Sequence, residues 1–146
     1  MNTALSSYQW VLMALCLWRE ARGCSHNEKV AIAHVICNRA LHEGPEFPKT
    51  LVGVITQPIQ FTSISPPQAR FLTQDEVYNA TKWPEEGDAN FAECCAIADS
   101  FGSATEPEDP TMGATNYYSE PIPRIPLWAD PAKLTVKIGV FHFYKL

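Results

Sequence analysis

The strongest pattern along the chain is an apolar run over residues 10–18 that passes directly into Arg19-Glu-Ala-Arg-Gly23. Nothing over residues 9–22 breaks a helix, and Gly23 stands where a left-handed residue closes one. A first helix is therefore predicted over 9–22. At 3.6 residues per turn, Met13, Cys16 and Leu17 share the face of Glu20, whereas Arg19 and Arg22 point at least a quarter of a turn away. Ser25 and Glu28 form a capping box that opens a second predicted helix over 27–41. Val30, Ala33, Cys37 and Ala40 line one stripe of it, and Ile32 and Ile36 border another. The tight turn between the two helices predicts that they pack as a pair. After a loop over 44–48, Thr50 caps a short helix that runs through Gln57 and is ended by Pro58.

The second half is less regular. Residues 60–65 read as a loop or small strand. Residues 66–86 are weakly patterned, with Thr73–Glu76 capping a turn of helix up to Lys82. A further helix is predicted over 88–100, with Asp88 as cap, Phe91, Cys94, Cys95 and Ala98 inward, and Gly102 as terminator. Residues 106–110 form a loop, 113–118 and 134–144 are β-prone, and 121–131 is a proline-rich connection carrying Trp128. The expected fold is α+β and mainly helical, one domain over residues 1–146 with a small β element near the C-terminus.

Composition narrows the function. A length of 146 residues, 46% apolar and 18% charged, suits one domain with a proper core. A net charge of −5 argues against a nucleic-acid surface, which needs clustered Lys and Arg. The apolar run 10–18 is too short to span a bilayer, so stable membrane insertion is not expected. It also lacks a cationic flank and a small-residue cleavage site, so no secretory signal is expected. Five cysteines, none in a CxxC pair, and four scattered histidines give no zinc spacing. Structural or free thiols are expected, with a Cys24 disulfide left open, and neither a metal nor a cofactor is called for.

Glu20 is the acid that stands out, alone among the first 27 residues. A carboxyl among apolar neighbours has its charged form disfavoured by desolvation, and the negative end of a helix acts in the same direction. Glu20 is thus expected to be an acid that stays protonated near neutral pH. Helix geometry alone leaves open the alternative of a helix-end Glu paired with an arginine.

Six stretches then align in order with one family. They are Trp18-Arg-Glu-Ala-Arg-Gly23, Val30-Ala-Ile-Ala-His-Val-Ile-Cys-Asn-Arg39, the run 47–57, Gln60-Phe-Thr62, Asp109-Pro-Thr-Met-Gly-Ala-Thr115 with Tyr117-Tyr118, and Ile138-Gly139 before Phe143-Tyr144. This succession resembles the spore-cortex-lytic cell wall hydrolases (the SleB/CwlJ-like family), over nearly the whole chain. The resemblance implies a lysozyme-like catalytic domain that cuts peptidoglycan between N-acetylmuramic acid and N-acetylglucosamine. The family's characterised members are lytic transglycosylases, which leave a 1,6-anhydro-muramic end, and its essential acid falls on Glu20. Gln60, Phe61, Thr62, Tyr117, Tyr118 and Trp128 read as cleft lining, although Tyr117 and Tyr118 alternate on a strand, so only one of them can face the cleft. Asn38-Arg39 reads as structural support.

A lone carboxylate suits this chemistry. Ordinary glycoside hydrolysis uses two flanking carboxyls, whereas transglycosylation uses the sugar's own 6-hydroxyl as nucleophile. Asp88, Asp109 and Asp130 leave a hydrolytic muramidase open, but all three sit in cap or loop contexts. Two departures from the family stand out. Asn116 replaces a His before the two tyrosines, and Phe141 holds a His place while His142 comes one later. On a strand that shift moves the side chain to the other face, so no family role passes to His142. The two replacements are compatible with having been packing partners.

The expected setting is a monomeric phage or prophage endolysin, made in the cytoplasm and reaching peptidoglycan after the membrane is permeabilised; a delivered effector would read the same way. A rival from another class is a non-catalytic glycan-binding virion or wall protein. A third is an amidase or peptidase, which would need a zinc site or a nucleophile such as Cys37 paired with His34.

Overall fold

A computed structural model describes residues 3–57, 61 and 82–146. The predicted loop or strand over 60–65, Phe61 excepted, and the predicted turn of helix ending at Lys82 lie outside the described residues.

Side-chain caps set the helix ends. Ser6 accepts from the Gln9 N–H at 3.3 Å while the Gln9 side chain accepts from the Ser6 N–H at 2.9 Å. This capping box starts α1 (Ser7–Ala21) two residues before the expected position. Gly23, at φ +82°, turns the chain out of it. The Ser25–Glu28 box opens α2 (His26–Leu41) as expected. Thr50 accepts from Gly53 N–H to start α3 (Leu51–Thr56), and Asp88 accepts from Phe91 N–H to start α4 (Ala89–Ser100). No helix among the described residues is long and apolar enough to cross a membrane.

The helices do not pack quite as the sequence implies. α1 lies most extensively along α4, with Trp18 edge-on to Phe91 at 6.4 Å, while α2 touches α1, α3, α4 and β2. Being enclosed on several sides, α2 is buried without interruption from Glu28 to Cys37. A helix surrounded in this way needs no polar stripe, which is why its pattern reads ambiguously. Lys29 is inside as well, 1% exposed, its Nζ 3.0 Å from both Asn90 Oδ1 and Glu93 Oε1 on α4. A buried ammonium is tolerated only with such partners.

The C-terminal part forms a three-stranded antiparallel sheet in the order β1 (Asn116–Ser119), β3 (Phe141–Tyr144), β2 (Leu134–Ile138). The β-prone stretch 134–144 is thus a hairpin turned at Gly139, φ +57°. A short 3-10 turn (Pro131–Lys133), capped by Asp130, ends the proline-rich connection and was not legible as an element. Register pairs Asn116 with Tyr144, Tyr117 with Phe143, Tyr118 with His142 and Ser119 with Phe141. Tyr117, Phe141 and Phe143 therefore share the inner face, where Phe141 and Phe143 are buried in the helical core. Tyr118, His142 and Tyr144 share the outer face, where Tyr118 and Tyr144 pack with Ala129, Ile122 and Trp128.

Candidate active site

Glu20 sits one residue before the end of α1 and is half-buried. Met13, Cys16 and Leu17, the residues sharing its face, are fully buried. Among the described residues, Tyr117, Cys16 and Arg39 feel its charge. The Tyr117 hydroxyl is held well above the usual range, first by burial and then by Glu20. The Cys16 thiol is pushed up by the same two causes in the same order. Arg39, lowered mainly by burial, is raised in turn by Tyr117, Cys16 and Glu20. Tyr117 thus remains a proton-bearing phenol beside the carboxyl, with Phe141 edge-on at 5.6 Å and Phe143 tilted at 5.8 Å.

Arg39 binds the parts of the site to one another. Its Nε donates to the Thr115 carbonyl at 2.6 Å, and its guanidinium lies 5.1 Å from the Phe47 ring and 5.2 Å from the Phe61 ring. Its neighbour Asn38 donates to Asp109 Oδ2 at 2.9 Å and to the Ala114 carbonyl at 3.0 Å. The Asn38-Arg39 pair therefore fastens the end of α2 to the lead-in of β1, the supporting role expected of it. Arg19 of α1 lies 5.0 Å over Trp83, and Arg22, which caps the helix, lies 4.6 Å over Trp18.

The other sequence-predicted site residues divide. Phe61 is buried against Arg39; Gln60 and Thr62 lie outside the described residues. Strand alternation puts Tyr117 with Glu20 and carries Tyr118 to the outer face. There Tyr118 stacks on His142 at 4.6 Å and on Tyr144 at 5.9 Å, while Trp128 meets Tyr144 edge-on at 5.4 Å. Tyr118 and Trp128 are thus one aromatic cluster, separate from the group around Glu20. His142 is held there by Glu120 at 2.7 Å. Asn116 and Phe141 lie on opposite faces, so the two family histidine positions are not packing partners.

The alternative carboxylates are engaged elsewhere. Asp88 and Asp130 are caps. Asp109 accepts from Thr111 N–H at 2.8 Å, Thr111 Oγ1 at 2.6 Å, Gly113 N–H at 3.0 Å and Asn38. Burial alone would raise its pKa, but these hydrogen bonds outweigh that and hold it below the usual carboxylate range. Among the described residues no group of three or more His, Cys, Asp or Glu is placed to hold a metal ion. Cys37 and His34 do not form a nucleophilic pair: His34 Nε2 lies 2.9 Å from the Pro107 carbonyl, and burial pushes the Cys37 thiol to about 12. Sequence reasoning missed the stack around Arg39, because Phe47 and Phe61 reach it only through the fold.

A carboxylate at the end of a buried helix, facing the inner side of a small antiparallel sheet, defines a lysozyme-like α+β architecture. A sequence model of the Cell Wall Hydrolase family matches residues 23–144, and the chain belongs to that family. The spore cortex-lytic enzyme of Halalkalibacterium halodurans is 32% identical over 108 residues, which is 74% of this chain and 26% of that protein. That of Bacillus subtilis is 43% identical over 54 residues, 37% of this chain and 17% of its own length. The match thus spans about a quarter or less of these relatives. The catalytic domain of the germination-specific lytic transglycosylase SleB from Bacillus anthracis has a TM-score of 0.67 at 25% identity, covering 99% of this chain and 100% of that one. The catalytic domain of Bacillus cereus SleB gives 0.66 at 26%, covering 99% and 97%.

Proposed function

We propose that residues 1–146 form a glycosidase domain that cleaves peptidoglycan glycan strands between N-acetylmuramic acid and N-acetylglucosamine by lytic transglycosylation, with Glu20 as acid and base. The observation that carries this reading is the setting of Glu20: it stands half-buried near the end of α1, and its charge is felt by Tyr117, Cys16 and Arg39. The kinship to proteins named as cortex-lytic enzymes and as a lytic transglycosylase supports the substrate class. Glu20 lies just ahead of the family match at 23–144, so its role rests on its surroundings in the fold.

In this reaction Glu20 gives its proton to the bridging oxygen as the bond from that oxygen to the muramic C1 breaks. Positive charge develops at C1 and its ring oxygen. The 6-hydroxyl oxygen of the same sugar then bonds to C1 while the Glu20 carboxylate takes its proton. The nucleophile is part of the bound sugar, so positioning replaces a second catalytic side chain. Tyr117 supplies a neutral hydroxyl beside the acid, Phe61 packs against Arg39, and contact with the sugar is the role proposed for Gln60 and Thr62. Tyr118 and Trp128 are left to packing on the outer face.

All five cysteines are free, the state a reducing cytoplasm maintains. This favours a protein folded there, as a phage lysis protein or delivered effector, and acting on the wall once the membrane is breached.

Mass spectrometry of fragments released from purified peptidoglycan tests the reading. Wild type is expected to release 1,6-anhydro-muramic ends, and Glu20→Gln to lower release by about 10²–10⁴-fold. Reducing muramic ends would mean a hydrolytic muramidase. Free stem peptides would overturn the glycosidic assignment. Retention of both forms on the wall without release would mean a binding protein.

A further inference from the structure

Trp83 is 65% exposed, although it lines the same cavity as Trp18, which is 1% exposed. A lone apolar side chain in water needs no explanation by itself, but this one is held in place. The Arg19 guanidinium lies 5.0 Å from the centre of the Trp83 ring, and Arg19 Nε donates to the Lys82 carbonyl at 3.0 Å. The indole is thereby braced on one face while most of its surface stays open to solvent. A side chain ordered in advance loses little further freedom when a ligand arrives.

The cavity measures about 350 Å³, within the range typical of small-ligand pockets, roughly 300–1,000 Å³. Beside the two indoles, Lys82, Glu85, Glu86 and Asp88 line it. Its place in the molecule follows from α1. Arg19 directly precedes Glu20, about 100° round the helix and about 1.5 Å along it. The end of α1 therefore presents the acid on one side and braces the indole on the next. The chemistry suits a sugar ring. An indole face covers the apolar C–H side of a pyranose, and exposed carboxylates accept from its hydroxyls. Glu85, Glu86 and Asp88 outnumber Lys82 and Arg19, so a neutral ring is favoured over one that carries an acidic substituent.

We propose that Trp83, braced by Arg19, is a stacking platform for a neutral N-acetylhexosamine ring of the glycan strand, beyond the unit cleaved at Glu20. This rests on the glycosidase reading above and adds a contact that holds the strand against the end of α1. Trp83 binds substrate and takes no part in proton transfer. Arg19 is a positioning residue that acts through the indole.

The test is an NMR titration of ¹⁵N-labelled Glu20→Gln protein with the N-acetylglucosamine tetramer, with peptide-free glycan strands and with free stem peptides. The Trp83 indole N–H, identified by its loss in Trp83→Phe, is expected to shift with both glycans and not with the peptides. Trp83→Ala is expected to weaken glycan binding about three- to tenfold, the scale of one aromatic contact, and Trp83→Tyr to retain most of the affinity. Arg19→Lys keeps the charge but not the flat brace, so it is expected to weaken binding about two- to threefold, with no further effect once Trp83 is alanine. In wall digestion Trp83→Ala should raise the half-saturating substrate concentration about three- to tenfold and leave the maximal rate near wild type. No shift at Trp83 with either glycan, a shift with the stem peptides, or unchanged affinity in Trp83→Ala would each overturn the platform, and additive losses in the double variant would overturn the role of Arg19. Wall release by wild type is assayed separately, so a failure of the glycosidase reading is distinguishable from a failure of the platform.

Discussion

Gly139 sits against the carboxylate of Glu28: a Cβ placed on the glycine would lie 2.3 Å from Glu28 Cδ. The same carboxylate closes the capping box of α2 and accepts from Val140 N–H at 3.4 Å. The hairpin turn is thereby fixed to the start of the central helix, and with it the strand that holds Phe141 and Phe143 behind Tyr117.

Gly139→Ala is therefore expected to destabilise the protein in two ways. At φ +57° an alanine is strained, and its methyl must displace a carboxylate that is already hydrogen-bonded. A loss of about 1–3 kcal/mol is expected, read from urea unfolding. Wild-type stability in the variant would mean that the turn moves freely from Glu28.

Asp109→Asn tests whether this carboxylate is structural. Its four donors all need an acceptor, and an amide would turn an NH₂ toward one of them. The variant is expected to lose about 1–3 kcal/mol at neutral pH, while its wall-cleaving rate per folded molecule stays near wild type. The pH dependence has a definite sign. The folded-state pKa lies below the unfolded value, so the stabilisation is full above the unfolded pKa, about 3.9, and is lost as pH falls through the folded one. The stability gap between wild type and Asp109→Asn should therefore close on acidification below about pH 4. A gap that widens in acid would refute the assignment.

The helices were legible wherever their signals were local: the Ser25–Glu28 box, Thr50 and Asp88 as caps, and Gly23 and Gly102 as closers all stand where the sequence puts them. The apolar face that Glu20 shares with Met13, Cys16 and Leu17 was legible for the same reason, since it is a matter of helical spacing. Other features needed long-range information. The burial of Lys29 depends on α4, the aromatic stack on Arg39 draws rings from two other segments, and the choice between Tyr117 and Tyr118 depends on which face of the sheet meets the helices. Periodicity says that two adjacent strand residues part company, but only packing says which of them turns toward the acid.

Thiol chemistry separates the cysteines. Cys16, Cys37 and Cys94 are buried, and burial is the main cause that pushes Cys37 and Cys94 to about 12 and Cys16 well above its usual value. Cys24 and Cys95 are half-buried and less perturbed. Thiolate is the reactive form, so an aromatic disulfide reagent at pH 8 is expected to titrate Cys24 and Cys95 first, and the other three only on unfolding. Rapid reaction at Cys37, located by peptide mapping, would reopen the nucleophile reading.

Arg39 makes the most demanding prediction, because charge and shape can be separated there. If the site needed only a positive charge near Glu20, Arg39→Lys would be nearly silent. The geometry requires more: a flat guanidinium fills the space between Phe47 and Phe61 while Nε reaches the Thr115 carbonyl at 2.6 Å. An ammonium on a flexible stem cannot occupy both ring faces and that hydrogen bond together. Arg39→Lys is therefore expected to cost about 1–3 kcal/mol of stability, the combined scale of a buried hydrogen bond and a cation–ring contact. It should also lower kcat more than it raises KM, since the stack sets Tyr117 and its strand against Glu20. Phe47→Leu should remove part of the same energy. In the double variant the two losses should be less than additive, because the partners share one contact. Full additivity in that cycle, or a lysine variant as stable as wild type, would show that Arg39 acts through its charge alone.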